Sequence, residues 1–213
     1  MDVEPIFRDR IEAGKALGAL VRETLTDPGP LILALPRGGV PVGFEVARAL
    51  RSELDVFLVR KLGVPGQEEL AFGAIASGGV RILNEALLAE LRLSQRAIER
   101  ITAREAQELN RREELYRCGR PALAARDRTI VLVDDGLATG ASMKAATAAL
   151  QSHGPKRIVV AVPVAAQEIF NEFRRNVTEI LCLHAPEQFT AVGIWYEDFS
   201  QVTDEQVQRL LAC

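Results

Sequence analysis

The stretch VLVDDGLATGAS, residues 131–142, joins an apolar strand to a helix through a turn of small and hydroxylated residues. Two aspartates, Asp134 and Asp135, follow the strand at once. Because open α/β folds bind ligands at the carboxyl ends of their parallel strands, we expect both acids at the edge of a crevice. Strand and helix patterns alternate along the chain, which predicts an α/β fold with a mostly parallel sheet flanked by helices on both faces.

The chemistry of this stretch favours a sugar phosphate as its ligand. Adjacent carboxylates repel each other unless hydroxyl donors or a divalent cation share their charge. In ATGAS (138–142) small residues open a helix, where backbone N–H groups and the helix dipole attract phosphate. Gly140 permits the turn, and Thr139 and Ser142 add hydroxyl groups. Carboxylates for sugar hydroxyls beside amides for a phosphate predict a ribose 5-phosphate site.

An alternative reading exists for each part of the motif. Metal-binding receiver domains also place paired aspartates at a strand end, and short turns of glycine, threonine and serine are common. The chain has no GK[ST] after this strand, which excludes a P-loop. The complete combination of strand, two acids and Ala-Thr-Gly-x-Ser is much rarer than any of its parts, and it favours the ligand site.

Composition limits which other classes of function are possible. The 213 residues are 48% hydrophobic and 26% charged, which predicts one folded domain over residues 1–213. The net charge of −3 argues against a general nucleic-acid binder. We expect no membrane span, since no apolar run approaches about 20 residues, and no signal peptide; a cytoplasmic location fits best. No metal-ligand spacing connects the isolated cysteines and histidines, Cys118, Cys182, Cys213, His153 and His184.

Periodicity and turn residues predict the other elements. The segment 64–70, VPGQEEL, is expected to be a mobile loop, and 71–85 a hairpin that turns at Gly78 and Gly79. Thr203 and Gln206 have the spacing of a capping box for a short last helix. Predicted strands cover 31–35, 55–63, 129–135, 157–164 and 179–184, and predicted helices cover 8–25, 40–51, 142 onward and 167–175.

The segment 85–117 is predicted to be helical, as two helices with Ser94 as the second N-cap. Three pairs along it have the spacing of ion pairs, Arg104/Glu108, Glu108/Arg112 and Glu113/Arg117. Two interpretations remain open. The helix is either a solvated one held to the domain by Ile98, Ile101 and Leu109, or a subunit contact.

The central motif closely resembles the phosphoribosyl-pyrophosphate (PRPP) signature of the type I phosphoribosyltransferases. LALPRGGVPVG (33–43) resembles their pyrophosphate loop, and VRKLGVPGQEE (59–69) is similar to the Arg-Lys strand end and flexible loop of the adenine and orotate enzymes. Order and spacing agree over about residues 30–165. Residues 66–120 and the tail after 185 match loosely, and they resemble a bacterial branch of the family more than a named salvage enzyme.

The resemblance implies a role for each matching residue. Asp134 and Asp135 would hold the ribose hydroxyls, and Ala138, Thr139, Gly140, Ala141 and Ser142 would surround the 5′-phosphate. Arg37, Gly38 and Gly39 would bind pyrophosphate, in a loop that often has an unusual peptide conformation in this family. Lys61, and less firmly Arg60, would neutralise the leaving pyrophosphate, although either also fits an exposed strand-end cation. The implied catalytic set is Lys61, Arg37, Asp134 and Asp135.

The implied activity is transfer of the 5-phosphoribosyl group from PRPP to a nitrogen acceptor, with Mg²⁺ as cofactor and pyrophosphate as product. The loop 62–70 would close over the site, and a hood over the acceptor would come from 185–213. Ala138 stands where the 6-oxopurine enzymes have an aspartate, so the acceptor stays unnamed. Expected partners are PRPP and the acceptor, with no nucleic acid or membrane, in a homodimer.

Two other functions stay open at this stage. One is a regulator that senses PRPP without turnover, and the other is an interaction protein whose charged helix recruits a partner. Retention of Arg37 and Lys61 favours catalysis, because a sensor has less need of leaving-group chemistry. In the tail, Trp195 and Tyr196 are expected in the core, with stacking on a base as the alternative for one of them. Glu197 and Asp198 are either surface acids or acceptor contacts.

Overall fold

The computed structural model describes residues 4–91, 93–175 and 179–211, without the side chains of residues 68 and 69. Strands and helices alternate along most of it. The strands are β1 Leu31–Ala34, β2 Leu54–Val56, β3 Val59–Val64, β4 Gln67–Ala76, β5 Val80–Leu83, β6 Thr129–Val133, β7 Arg157–Val164 and β8 Glu179–His184. The helices are α1 Arg10–Thr24, α2 Gly39–Leu50, α3 Glu85–Leu91, α4 Gln95–Arg117, α5 Ala141–Gln151, α6 Gln167–Arg175 and α7 Asp204–Leu210.

The central sheet is parallel throughout, in the order β2-β1-β6-β7-β8. Every residue of β1 and β6 is buried, as expected for strands covered on both faces. Helices α1 and α2 pack on one face, and α5 and α6 pack on the other. The predicted fold class is therefore confirmed. The strand order reverses between β1 and β6, which is where open α/β sheets place their ligands.

A second sheet is antiparallel, in the order β3-β4-β5. Its apolar face forms a separate core with α4 and α7, in which Leu62, Phe72 and Tyr116 are almost fully buried. The predicted hairpin over 71–85 is confirmed as β4–β5, with positive φ at both Gly78 and Gly79.

The single strand predicted over 55–63 is wrong. The structure has two strands there, β2 in the parallel sheet and β3 in the antiparallel sheet. The chain leaves the first sheet at Phe57 and Leu58, which are consecutive and both buried. Phe57 packs in the core beneath α5 and Leu58 in the core of the second sheet. The strand prediction failed because the chain changes sheets between Val56 and Val59, which the apolar pattern of the sequence does not reveal.

The loop predicted over 64–70 is also wrong as secondary structure. Strand β3 continues to Val64, the chain turns at Pro65 and Gly66, and β4 begins at Gln67. Leu62 and Val64 are buried with the two-residue period of a strand, and Gly66 adopts the positive φ of a tight turn. The polar composition of the segment reflects an exposed hairpin end.

The two predicted helices in 85–117 are confirmed as α3 and α4. Ser94 caps α4 by accepting a hydrogen bond from the Ala97 amide. The pairs Glu108/Arg112 and Glu113/Arg117 form as predicted. Arg104 was assigned the wrong partner, since its guanidinium pairs with the adjacent Glu105. Glu105 is buried at the second sheet, and it attracts Arg104 away from Glu108.

After β8 the chain runs along the carboxyl edge of the central sheet. A 3-10 turn, Val192–Trp195, precedes α7, whose predicted capping box at Thr203 and Gln206 is confirmed. Trp195 and Tyr196 are both buried, one against His184 and Phe189 and the other against Phe7 and Phe199. Core packing is therefore confirmed for both.

Among residues 4–91, 93–175 and 179–211, no helix has the length and apolar character needed to cross a bilayer. The same part of the chain holds no cluster of three or more histidine, cysteine or acidic residues that could bind a metal ion. Cys213 lies outside the described residues.

Candidate functional site

The loops after β1 and β6 lie side by side at the point where the strand order reverses. A Cβ atom on Gly38 would lie 2.0 Å from the Asp135 Oδ2 atom, and one on Gly39 would lie 2.8 Å from the Val133 carbonyl oxygen. Both glycines are therefore required by the close approach of the two loops. The structure brings together Gly38, Gly39, Asp134 and Asp135, as the sequence predicted.

The Arg37 side chain has a different neighbour from the one expected. The Pro36–Arg37 peptide bond is cis, which agrees with the expected unusual conformation of this loop. The Arg37 guanidinium lies 3.7 Å from the Asp204 carboxylate in the first turn of α7. Asp204 also accepts a hydrogen bond from the Tyr116 hydroxyl at 2.7 Å. The structure thus places Arg37 against the C-terminal helix, with its side chain about one-third exposed.

The two aspartates have separate hydrogen-bond partners. The Asp134 Oδ1 atom accepts from the Asp135 backbone amide at 2.9 Å. The Asp135 Oδ2 atom accepts from Arg10 Nε at 2.8 Å, and the Asp135 carbonyl accepts from the Tyr196 hydroxyl at 2.6 Å. Asp135 is therefore fixed by both the first helix and the C-terminal segment.

Arg10 is the residue that sequence reasoning missed. Its side chain is about 10% exposed, its Nη1 atom donates to the Ser200 carbonyl at 2.8 Å, and its guanidinium stacks 3.8 Å from the centre of the Phe199 ring. One feature of the sequence indicated that Arg10 is buried, because it precedes the buried positions Ala13 and Leu17 of α1 at helical spacing. An arginine at the start of an apolar stripe has to find a buried partner.

The electrostatics of the two acids differ. Burial, together with the negative charge of Asp135, raises the pKa of Asp134 well above its ordinary value. Burial also raises the pKa of Asp135, but the Arg10 guanidinium opposes this by favouring the charged form. Asp134 therefore carries the less compensated charge. A hydroxyl donor or a cation next to it would lower the cost of its ionisation.

The turn after the acids has the features of an anion site. Gly140 caps α5 with a φ of 68°, and a Cβ atom there would lie 2.9 Å from Ile169. Thr139 Oγ1 accepts a long hydrogen bond, 3.4 Å, from the Ala141 amide. The exposed residues around this helix end are Ala138, Thr139, Ala141 and Ser142. Because α5 has 11 residues, its dipole adds to the attraction of its first amides for phosphate.

Lys61 and Arg60 lie at a cleft that opens beside this turn. The cleft has a volume of about 690 Å³, lies between β3, the β3–β4 turn and α4, and includes Ser142 in its wall. Lys61 is exposed there, whereas Arg60 Nε donates to Glu105 Oε2 at 2.6 Å. We call this space, lined by residues 59–61, 63–66, 100, 101, 104, 105 and 142, the α4 cleft, and residues 134–142 the acid turn.

The fold and site define an open α/β protein whose switch-point crevice combines paired acids with an exposed helix N-terminus. A family model described as the phosphoribosyl transferase domain matches residues 9–193. Two curated proteins from Mycobacterium tuberculosis strains, both named "Putative phosphoribosyl transferase", are 43% identical to this chain over 206 residues. The match covers 97% of this chain and 46% of theirs, so the chain spans just under half the length of these relatives.

Solved structures share this fold. The crystal structure of TT1426 from Thermus thermophilus is 46% identical, has a TM-score of 0.85, and the match covers 96% of this chain and 97% of that one. A purine phosphoribosyltransferase from Pyrococcus horikoshii is 16% identical with a TM-score of 0.50, covering 89% and 91%, which shows the fold alone. This chain belongs to the phosphoribosyltransferase family.

Proposed function

We propose that the protein transfers the 5-phosphoribosyl group of PRPP to a nitrogen acceptor and releases pyrophosphate. The observation that carries the proposal is the acid turn, where Asp134 and Asp135 are followed within a few residues by the exposed N-terminus of α5. Carboxylates suit the ribose diol, and helix amides suit the 5′-phosphate. The two features together suit one ligand that carries a phosphate and vicinal hydroxyls.

In this proposal Asp134 accepts hydrogen bonds from the ribose hydroxyls, which gives its buried charge the donors it lacks. Asp135, fixed by Arg10 and Tyr196, holds the sugar in position without further rearrangement. Ser142 and the backbone of the turn bind the 5′-phosphate. Gly38 and Gly39 present backbone next to the acids, where the pyrophosphate leaves.

Charge on the departing pyrophosphate is neutralised by Lys61, which lies in the α4 cleft with Ser142. The β3–β4 hairpin forms one wall of the cleft, and its closure would exclude water from an oxocarbenium-like transition state. Mg²⁺ fits the donor set, since Asp134 is the less compensated of the two carboxylates and lies beside the expected pyrophosphate. When bound with PRPP, the ion would supply charge neutralisation on the phosphate oxygens.

The proposal is tested by the paired substitution Asp134→Asn with Asp135→Asn. Asparagine keeps the size of both side chains and removes both negative charges. We expect PRPP affinity, measured by titration calorimetry with Mg²⁺, to fall at least about 100-fold, the loss of roughly two charge-assisted hydrogen bonds. Circular dichroism should show a folded protein.

Asp127→Asn is the matched control, because Asp127 is exposed and precedes β6 at the opposite end of the strand. It should bind PRPP as the wild type does. Unchanged affinity in the double variant would show that PRPP does not use these acids.

A sensor that binds PRPP without turnover is the second candidate. Arg37 and Arg60, two of the three cations expected at the pyrophosphate, are paired with Asp204 and Glu105. The pairing leaves less free positive charge for the leaving group than the sequence indicated. Pyrophosphate release with a panel of acceptors separates the two functions, since a sensor would bind PRPP and release none.

A further inference from the structure

The α4 cleft contains more basic side chains than the proposed reaction with PRPP requires. Four basic side chains line it, Arg60, Lys61, Arg100 and Arg104, against a single described carboxylate, Glu105. Glu105 is buried and pairs with both Arg60 and Arg104. The described side chains include no ion-pair partner for Arg100 or Lys61. A concave surface with this excess concentrates positive potential.

The fold of α4 does not account for these cations. Apart from the pair between Arg104 and Glu105, the salt bridges within α4 lie further along the helix, where Glu108 pairs with Arg111 and Arg112. Ile98 and Ile101 already anchor this part of α4 to the second sheet. Arg100 and Arg104 are exposed on the cleft side and contribute little to stability there, since exposed ion pairs are worth at most about 1 kcal/mol.

The proposed binding of PRPP uses other residues. Its 5′-phosphate is assigned to the acid turn, and its pyrophosphate to Gly38, Gly39 and Lys61. The arginines of α4 are left for the second ligand. The cleft volume of about 690 Å³ lies within the range of small-molecule sites. Its apolar wall, Val59, Val64, Pro65 and Ile101, suits a flat ring.

We propose that the acceptor is anionic, a small nitrogen compound bearing a carboxylate or phosphate that Arg100 and Arg104 bind in the α4 cleft. This inference rests on the proposed function, because it takes PRPP to occupy the acid turn. A guanidinium offers parallel N–H donors that match a carboxylate or phosphate. The acceptor's charged group would lie against α4, and its ring against the β3–β4 hairpin.

The test compares acceptors that differ only in a carboxylate. Nicotinate with nicotinamide, orotate with uracil, and anthranilate with aniline are titrated into the complex of the wild-type protein with PRPP and Mg²⁺. We expect at least one anionic member to bind tenfold or more tightly than its neutral partner. Pyrophosphate release is measured on the same mixtures.

The variant Arg100→Gln with Arg104→Gln should reduce affinity for that anionic compound at least tenfold and leave PRPP affinity within twofold. Arg96→Gln with Arg111→Gln is the control, because it removes the same charge from exposed positions of α4 outside the cleft. The control should bind both ligands as the wild type does.

The outcomes separate the two proposals. Absence of PRPP binding by the wild type overturns the proposed function and this inference together. Binding of PRPP with no preference for the anionic members, or a loss of PRPP affinity in the Arg100/Arg104 variant, overturns the inference alone. Preferential binding without pyrophosphate release supports the anionic ligand and rejects the transfer reaction.

Discussion

The acid turn and the α4 cleft meet at Ser142 but are built in different ways. In the acid turn the carboxylate of Asp135 is held by the buried Arg10, and Gly38 packs against it. In the α4 cleft Lys61, Arg100 and Arg104 are exposed, and among the side chains that the structure describes only Arg60 and Arg104 have an ion-pair partner. The aspartates of the acid turn are thus anchored by contacts with other segments, whereas the cations of the α4 cleft form a charged surface.

This difference predicts how substitutions behave in each half. A change in the acid turn disturbs packing and buried charge, so it should alter both the free energy of unfolding and ligand affinity. A change in the α4 cleft, such as Arg100→Gln with Arg104→Gln, should alter affinity with little effect on unfolding, because exposed charges contribute little to stability. Three substitutions in and around the acid turn sharpen the comparison.

Arg10→Gln should have the largest effect. It leaves Asp135 without its buried counter-charge, and removal of one partner from such a pair costs about 3 kcal/mol. The pKa of Asp135 should rise further, because burial then acts without the opposing guanidinium. We expect weaker PRPP binding at pH 7 and partial recovery as the pH is raised, measured by titration calorimetry from pH 6 to 9.

Arg8→Gln serves as its control, since Arg8 is exposed and its guanidinium pairs with the neighbouring Asp9. A binding loss in Arg10→Gln that does not change with pH would mean that Arg10 acts by packing alone. That result would rule out charge compensation of Asp135 by Arg10.

Gly38→Ala should have the next largest effect. The added Cβ would lie 2.0 Å from Asp135 Oδ2, so the Asp135 carboxylate or one of the two loops must move. Overpacking of this kind costs about 1–3 kcal/mol, and the displaced carboxylate should weaken PRPP binding at least about tenfold, or 1.4 kcal/mol. Denaturant unfolding and calorimetry measure the two losses.

Gly29→Ala is the comparison variant for Gly38→Ala. Gly29 also lies in a loop, but nothing is within 4 Å of its added Cβ. It should lose only the small stability due to its positive φ and keep its PRPP affinity. Equal binding losses in the two variants would contradict the contact between Gly38 and Asp135.

Asp134→Asn should have the smallest effect on the free energy of unfolding, and unlike the other two substitutions it should increase it. The folded protein holds the pKa of Asp134 above its unfolded value, so this carboxyl lowers the free energy of unfolding as the pH rises through that window. Asparagine removes this cost and can still accept the Asp135 amide. We expect a gain of roughly 1 kcal/mol at pH 7 that disappears below about pH 4, measured by urea unfolding.

Asp135→Asn offers the internal contrast, because it weakens the pair with Arg10 and should destabilise the protein. A stability loss in Asp134→Asn at neutral pH would show that Asp134 is compensated by a contact other than those described.

Local patterns predicted much of the fold and the acid turn. The burial of β1 and β6, the caps at Ser94 and Thr203, and the short helix-opening turn at Gly140 depend on residues close together in sequence. The strand over 55–63 and the loop over 64–70 were predicted wrongly for a different reason. At both places the outcome depends on a second core, to which Leu58, Leu62 and Val64 contribute.

The side chains of Arg37 and Arg60 show the same limit within the site. Their positions in the motifs indicated pyrophosphate, but each pairs with a carboxylate that follows it by many residues, Asp204 and Glu105. No spacing rule connects such partners. The homodimer and the hood over the acceptor stay predictions.

The sequence by itself determined the class of fold, the switch-point location and the acids beside the helix end, because hydrophobic period and turn chemistry act over a few residues. Only the tertiary structure decided that Arg10 compensates Asp135 and that α4 brings Arg100 and Arg104 to Ser142. The physical reason is that charge compensation and cleft shape depend on which distant segments pack together. Which segments pack together is determined by the complete hydrophobic cores.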